Sequence, residues 1–526
     1  MPEPEREPQR GDEIGGPYAR YVLGVLVAVY VLNFLDRQIP SILAERIKAD
    51  LGVSDAQMGY LYGTAFAIFY ALFGIPLGRL ADVWDRRKLI SLGLGFWSLM
   101  TAVSGFARSF SQLALARVGV GIGEASATPA AYSLLSDYFP RERRATVLAI
   151  YSSGIYIGSG LGLFLGGVIV NRWDRAFADG GAPLGLVGWQ AAFLAVGLPG
   201  LLLALWSASL REPRRGASDG LVTTSLADSK PGRALLHELA AVLPPFTLWN
   251  LQRLGAGGRG IAANLATAIV VSGAALGMTR WLGNPAQWWS LALGAYAAFS
   301  WRQSVTLRDP PSATLIFRTR SMVFSCLGFA FLSFGGYSLG FWMAPFFTRV
   351  HGLPIEKVGF LVGGTYALGG WLGVTFGGWL ADRLRRNSPT GRLTVGMLNA
   401  ALTVPLALAV LWTPATGVAL FLNLFLNLVA AMWLGPGAST VQDLVLPRMR
   451  AVASAFYLLV VTLIGLALGP YTVGRLSVAT GDLRLAMTLG LAANAVAFTF
   501  FWLARRTLAE DEATRVERAR AAGEVT

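Results

Sequence analysis

Apolar positions along this chain come in blocks rather than in alternation. Blocks of about 20 residues, the helical length that spans ~30 Å of hydrocarbon, fall at roughly 18–43, 57–80, 88–107, 110–136, 145–170 and 187–210. After a long interruption they resume at roughly 320–346, 355–381, 391–413, 416–440, 450–475 and 482–505. In lipid only helices and closed barrels satisfy their own backbone groups, and a barrel would show short alternating strands instead. The pattern predicts an all-α polytopic membrane protein with two six-helix halves, 18–210 and 320–506. The polar ends, 1–17 and 507–526, read as unstructured tails.

The interruption at 211–319 is too long and too apolar for a plain linker. Within it Ile261–Leu282 is long enough to span, and Ala286–Trp301 is shorter. If both halves start on the same face, the insert crosses an even number of times. That predicts a two-helix hairpin at about 261–303, with a re-entrant or surface hairpin as the alternative. Trp281, Trp288 and Trp289 near its tip suit an aromatic interface belt. The hairpin is expected on the outer surface of the bundle. Before it, Ala234–Leu254 mixes apolar residues with His237, Glu238 and Arg253, and reads as an interfacial helix.

Composition agrees with this class: 54% of residues are hydrophobic and only 14% are charged, against about a quarter charged in soluble domains. The net charge of +14 does not indicate nucleic acid, because the basic residues cluster in short loops such as Asp85–Lys88 and Arg141–Arg144. By the positive-inside rule they place both termini in the cytoplasm, at what reads as a bacterial inner membrane. Cys326 is the only cysteine, and His237 and His351 are isolated, so neither a disulfide, a metal site nor a cofactor is expected.

An internal repeat ties the halves together. Gly78-Arg79-Leu80-Ala81-Asp82 closes the second block, Gly378-Trp379-Leu380-Ala381-Asp382 closes its counterpart, and a basic run follows each. This is the mark of a parallel duplication. Gly78, Asp82, Asp85, Arg86, Arg143 and Asp382 are the expected cytoplasmic gate network, with a passive topology signal as the alternative.

Charges inside the apolar blocks carry the candidate chemistry. Asp36 and Arg37 lie in the first block, Arg117 and Glu124 in the fourth; each such residue costs roughly 2.5–3.5 kcal/mol at membrane depth even on lenient scales. Glu124 follows Arg117 by seven residues and shares nearly the same helix face, as Asn33 does with Asp36. Arg117 is expected to pair with Asp36 or Glu124 when the site is empty, and to take an anionic headgroup when loaded. A carboxyl group that loses its arginine partner takes up a proton more readily. This makes Asp36 and Glu124 the expected proton-coupling groups, and Arg37, Arg117 and Asn33 the expected substrate ligands. The alternative is a structural clamp between helices. Tyr156, Tyr337, Trp342, Asn423 and Asn427 are candidates for lining a cavity. Glycines at 119–123, 154–167 and 363–377 read as close helix packing, not as a phosphate loop.

Asn33-Phe34-Leu35-Asp36-Arg37, Gly78 to Lys88, Ala116-Arg117-Val118-Gly119-Val120-Gly121-Ile122-Gly123-Glu124-Ala125-Ser126, Ser159-Gly160-Leu161-Gly162 and Arg211-Glu212-Pro213 resemble the spinster family. The resemblance is dense across about 30–215 and weaker beyond. It implies the major facilitator fold and a secondary carrier alternating between inward-open and outward-open states. The better-known members move lysophospholipids or sphingosine-1-phosphate. An amphiphilic anionic lipid driven by protons is therefore the expected cargo, with a small organic anion or drug-like amphiphile as the runner-up. Membrane lipids are the expected surroundings, and a monomer the favoured assembly. An enzyme is not expected, because no nucleophile or metal constellation is present in the sequence.

Overall fold

The computed structural model describes residues 14–216, 218 and 231–524, and every regular element among them is helical. Most of the expected N-terminal tail lies outside the described residues. Eleven helical segments are long and apolar enough to cross a membrane. Three further transverse segments are not, for legible reasons. Arg86–Ser104 starts on three basic residues, 110–138 carries Arg117, Glu124 and Asp137, and Pro285–Arg308 contains Arg302 and Arg308.

The first half runs Pro17–Leu51, Asp55–Val83, Arg86–Ser104, 110–138, Arg141–Ala176 and Gly188–Ala208. These are the first to sixth helices below. The second half runs Arg320–Arg349, Ile355–Asn387, Gly391–Trp412, Thr416–Asp443, Pro447–Thr480 and Leu483–Ala513, the seventh to twelfth. Local chemistry sets several boundaries. Ser54 and Gln57 form a reciprocal capping box at the start of the second helix, and the Asp85 side chain caps the third by accepting from the Lys88 amide. The fourth helix breaks between Glu124 and Ala127, and the tenth between Ala431 and Leu434, at corresponding places of the repeat.

The repeat extends to ion pairs at the end of the bundle that holds both described termini. Arg86 is enclosed there, 2.5 Å from Asp137 and 2.6 Å from Glu212. In the second half Arg392 pairs with Asp443, again 51 residues on, and Arg385 with Glu512. Each cluster ties the starts and ends of neighbouring helices together. The charged stretch after Arg506, expected to be unstructured, is instead helical to Ala513 and again over Arg515–Ala521. Its charges have partners: Glu512 with Arg385, Glu524 with Arg448, and Arg518 with the Thr319 hydroxyl at 2.7 Å.

Between the halves lie, in order, two short helices, Pro231–Val242 and Phe246–Arg253, the hairpin Gly257–Leu282 and Pro285–Arg308, and a further helix, Pro310–Phe317, just before the second half. The short helices grip the base of the hairpin. Thr247 bonds Tyr296 at 2.6 Å, Asn250 bonds Ser304 at 2.9 Å, and Glu238 pairs with Arg308 at 2.8 Å. The hairpin does not simply coat the bundle: its second helix packs on the second helix of the first half and its tip touches the eleventh.

The hydrogen bonds and ion pairs that join the two halves cluster toward the far end, opposite the termini. Close backbone approach makes this seal possible. A Cβ on Gly59 would lie 2.4 Å from the Pro470 carbonyl oxygen, and one on Gly474 would lie 2.3 Å from that of Asp55. Gly59→Ala must therefore push the second and eleventh helices apart, with an expected loss of about 1–3 kcal/mol, the usual cost of overpacking. Gly364→Ala, where nothing stands within 4 Å, should leave the thermal midpoint in detergent unchanged or slightly raised. Equal midpoints for the two variants would refute the account of the seal.

Candidate functional site

Arg37 of the first helix and Glu124 of the fourth form a buried ion pair within the first half. The Arg37 guanidinium donates from Nη2 to Glu124 Oε2 at 2.7 Å, from Nε to the same oxygen at 3.2 Å, and from Nη2 to Asn33 Oδ1 at 3.4 Å. Both side chains are almost wholly enclosed, at 7% and 0% exposure. Only one carboxylate oxygen is used; Oε1 is buried without a hydrogen-bond partner. Around the guanidinium stand the rings of Phe34 and Phe66, each 4.5 Å from its carbon, and Tyr70 at 5.0 Å. The Tyr337 hydroxyl faces Arg37 from the second half, so the pair lies where the halves meet.

Arg117 does not take the partner expected of it. It reaches only the backbone oxygen of Asp36, at 3.4 Å, while its Nε and Nη2 have no hydrogen-bond partner. Glu124, at the end of the first segment of the fourth helix, pairs with Arg37 of the first helix instead. Arg117 lies near the Phe66 ring, 5.5 Å from its centre, so one phenyl ring stands beside two cations. Asp36 is fully enclosed and neither of its carboxylate oxygens has a hydrogen-bond partner. Its neighbours include Trp97 and Thr101 of the third helix, whose polar atoms are likewise unpaired. The site is thus two adjoining compartments: a paired Arg37–Glu124 and a loosely satisfied Asp36–Arg117 pocket behind it.

Glycines bring the helices this close. A Cβ on Gly121 would stand 2.5 Å from the Phe66 carbonyl oxygen, and one on Gly123 would meet the Trp97 backbone nitrogen at 2.9 Å. The other candidates are dispersed. Tyr156 is half-buried beside Tyr366. Trp342 is fully enclosed and donates to the Pro470 carbonyl at 2.9 Å, so it lines no opening. Asn423 donates to Thr365 at 2.8 Å, and Asn427 to the Asn423 carbonyl at 2.7 Å. The expected gate residues do not form one network either. Arg86 and Asp85 sit in ion pairs with different partners, Asp82 makes an exposed pair with Arg79, Gly78 faces Pro129, and Arg143 and Asp382 are exposed.

A second cluster at the far end was not foreseen. Arg349 of the seventh helix donates two bonds to Asp55, at 2.6 and 2.7 Å, and also bonds Glu45 at 2.5 Å. Lys48 pairs with Asp55 at 2.5 Å, and the Ser477 hydroxyl donates to it at 2.6 Å. This group bridges the first, second, seventh and eleventh helices, and so both halves. Its only sequence signal was charge at the ends of apolar blocks, which does not say who pairs with whom.

A duplicated bundle, latched at one end and holding an ion pair where its halves meet, is the architecture of a membrane carrier. The chain belongs to the Major Facilitator Superfamily, whose sequence profile matches residues 26–470. It is 29% identical over 522 residues to an MFS-type efflux pump of Mycolicibacterium smegmatis, covering 97% of this chain and 99% of that protein. Human protein spinster homolog 1 is 26% identical over 478 residues, covering 87% of this chain and 72% of that one. A crystal structure of a bacterial homolog to the human lysosomal transporter spinster, in an inward-facing and occupied conformation, matches at a TM-score of 0.70 and 26% identity, covering 94% of this chain and 99% of that one. The chain is a spinster-like transporter and not an enzyme.

Removing the counter-ion tests the first compartment. Glu124→Ala strands a buried guanidinium and should cost about 3–5 kcal/mol of stability. The double variant Glu124→Leu with Arg37→Leu should recover most of that loss, because no charge is left unpaired. A double variant less stable than the single one, by melting in detergent, would show that the pair is not the element being lost.

Proposed function

We propose that the chain is a proton-coupled secondary carrier of an amphiphilic anionic lipid, working by alternating access. The observation that carries the reading is the half-used ion pair. Arg37 presents a planar cation at the boundary of the two halves, walled by aromatic rings, and its carboxylate partner is held through one oxygen. A phosphate or carboxylate headgroup can engage the guanidinium through two oxygens, where Glu124 uses one, and so competes with Glu124 for it. Phe34, Phe66, Tyr70 and Tyr337 supply apolar area against which a tail can lie. A carboxylate stripped of its partner in an apolar site is costly as an ion, and protonation removes the charge.

Glu124 is then the group that binds a proton as cargo enters, and Asp36, with Arg117 beside it, is the second group that carries one through the cycle. Asn33 holds Arg37 in place. The far-end cluster around Arg349 is the gate that stays shut while the terminal end is open. The basic loops lie at the terminal end, so the positive-inside rule makes that end cytoplasmic, in a bacterial inner membrane. A salt bridge broken in one state and formed in the other is an ordinary gating element.

Uptake into proteoliposomes under an imposed pH gradient tests the reading, with a fluorescent lysophospholipid as probe. Asp36→Asn and Glu124→Gln should abolish accumulation above equilibrium, while at least one retains exchange without a gradient. Arg37→Lys should cut uptake by roughly tenfold or more, since an ammonium cannot replace the planar fork. Full accumulation by both carboxyl variants would overturn proton coupling through them. Proton flux evoked by a small organic anion or a drug-like amphiphile, and not by the lipid, would replace the substrate class.

A further inference from the structure

The hairpin tip is wedged where the two halves meet. Gln287, at the start of its second helix, is fully buried, with Oε1 2.6 Å from the Thr64 hydroxyl. The same hydroxyl lies 2.6 Å from the Ala467 carbonyl of the eleventh helix. A threonine hydroxyl has one hydrogen and cannot donate to both oxygens. Gln287 Nε2, meanwhile, is buried without a partner. Exchanging the amide's oxygen and nitrogen, which differ only by the side-chain flip, resolves the conflict. Nε2 donates to Thr64, Thr64 donates to Ala467, and a relay runs from hairpin to first half to second half.

Other contacts repeat the three-body pattern. Tyr60 of the second helix bonds Ser290 at 3.4 Å. Asn284 donates to the Tyr471 hydroxyl of the eleventh helix at 3.3 Å, and Trp288 stands edge-on to the same ring, 5.6 Å between centres. A Cβ on Gly294 would meet Ile68 at 2.9 Å and Leu463 at 3.0 Å, one from each half. Ala467 closes the π-helical turn Val461–Leu466, its amide reaching back to the Thr462 carbonyl. Such turns often mark functional points in helices.

We propose that the inserted hairpin is a latch that holds the far end closed, with Gln287 as its bolt. The second and eleventh helices must part there for the opposite state to form, and parting them breaks the relay at Thr64. The inference rests on alternating access but not on the identity of cargo or driving ion.

Distances between spin labels on Ala49→Cys and Ala479→Cys, both exposed at the far end, read the equilibrium in a Cys326→Ser background. Gln287→Met keeps the shape and removes the amide; Thr64→Val removes the hydroxyl. Each should raise the long-distance population by roughly threefold to tenfold, the factor one net hydrogen bond supplies. Gln303→Ala breaks bonds made only within the hairpin, to Asn264 and the Gly260 carbonyl, and should leave the distribution unchanged. Arg349→Ala serves as the independent opener. If Arg349→Ala lengthens the distances and Gln287→Met and Thr64→Val do not, the latch is wrong and alternating access stands. An equal shift in Gln303→Ala would also overturn the latch, since general loosening would explain it. If Arg349→Ala stays closed as well, alternating access fails and the latch fails with it.

Discussion

A guanidinium inside an apolar bundle is costly unless a carboxylate meets it in good geometry, and the arrangement of the first half around Arg37 answers that need. The effective penalty for enclosing one unpaired ion is several kcal/mol, a large share of the stability of any domain. Glu124 must therefore come within hydrogen-bond reach of Arg37 although the two lie on different helices. That proximity forces the fourth helix against the second and third, where Gly121 and Gly123 leave room that a Cβ would fill. It also fixes the place of Phe66, whose backbone abuts Gly121 and whose ring lies beside both arginines. The glycine run and the charges are thus one feature: small residues let the helices close, and closure lets the ions pair.

The same economy explains why the charges fall into two compartments. Four ionisable groups with two charges of each sign could form two tidy pairs, yet only Arg37 and Glu124 do. Asp36 is next to Arg37 in sequence and so points about 100° away around the helix, into the third helix rather than toward the centre. Arg117 reaches its backbone but not its carboxylate. Trp97 and Thr101 of the third helix turn their donors toward the Asp36 carboxyl, while Nε and Nη2 of Arg117 have no partner.

Much of this was legible in the chain. Twelve apolar blocks in two sets, the repeated Gly-x-Leu-Ala-Asp and four charges in apolar surroundings follow from composition and spacing, because lipid imposes a narrow rule on length and charge. Partner choice did not follow. The helical period places Arg117 and Glu124 on one face, but it says nothing of how the fourth helix turns against the first, so the competing claim of Arg37 stayed hidden. Arg349, Asp55 and Ser477 belong to three separate helices and two halves, and only packing brings them together. The C-terminal stretch misled for a related reason: its charge density resembles a solvated tail, but Arg385, Arg448 and Thr319 wait for it on the bundle.

Pseudo-symmetry and the insert pull against each other in a way that bears on how such a carrier moves. Duplication gives each half its own ion cluster at the terminal end, Arg86 with Asp137 and Glu212 in one, Arg392 and Arg385 with Asp443 and Glu512 in the other. Each cluster joins helices of a single half, so it stiffens that half without binding it to its twin. Two rigid bodies of this kind rock against one another at little internal cost. What sets the balance between states must then lie in contacts that cross between the bodies, and these gather at the far end: Arg349 with Glu45 and Asp55, Thr64 with Ala467. The hairpin has no counterpart in the repeat, and its tip adds contacts with both halves toward that end. A symmetric frame supplies two ways of opening, and an asymmetric insertion weights one of them.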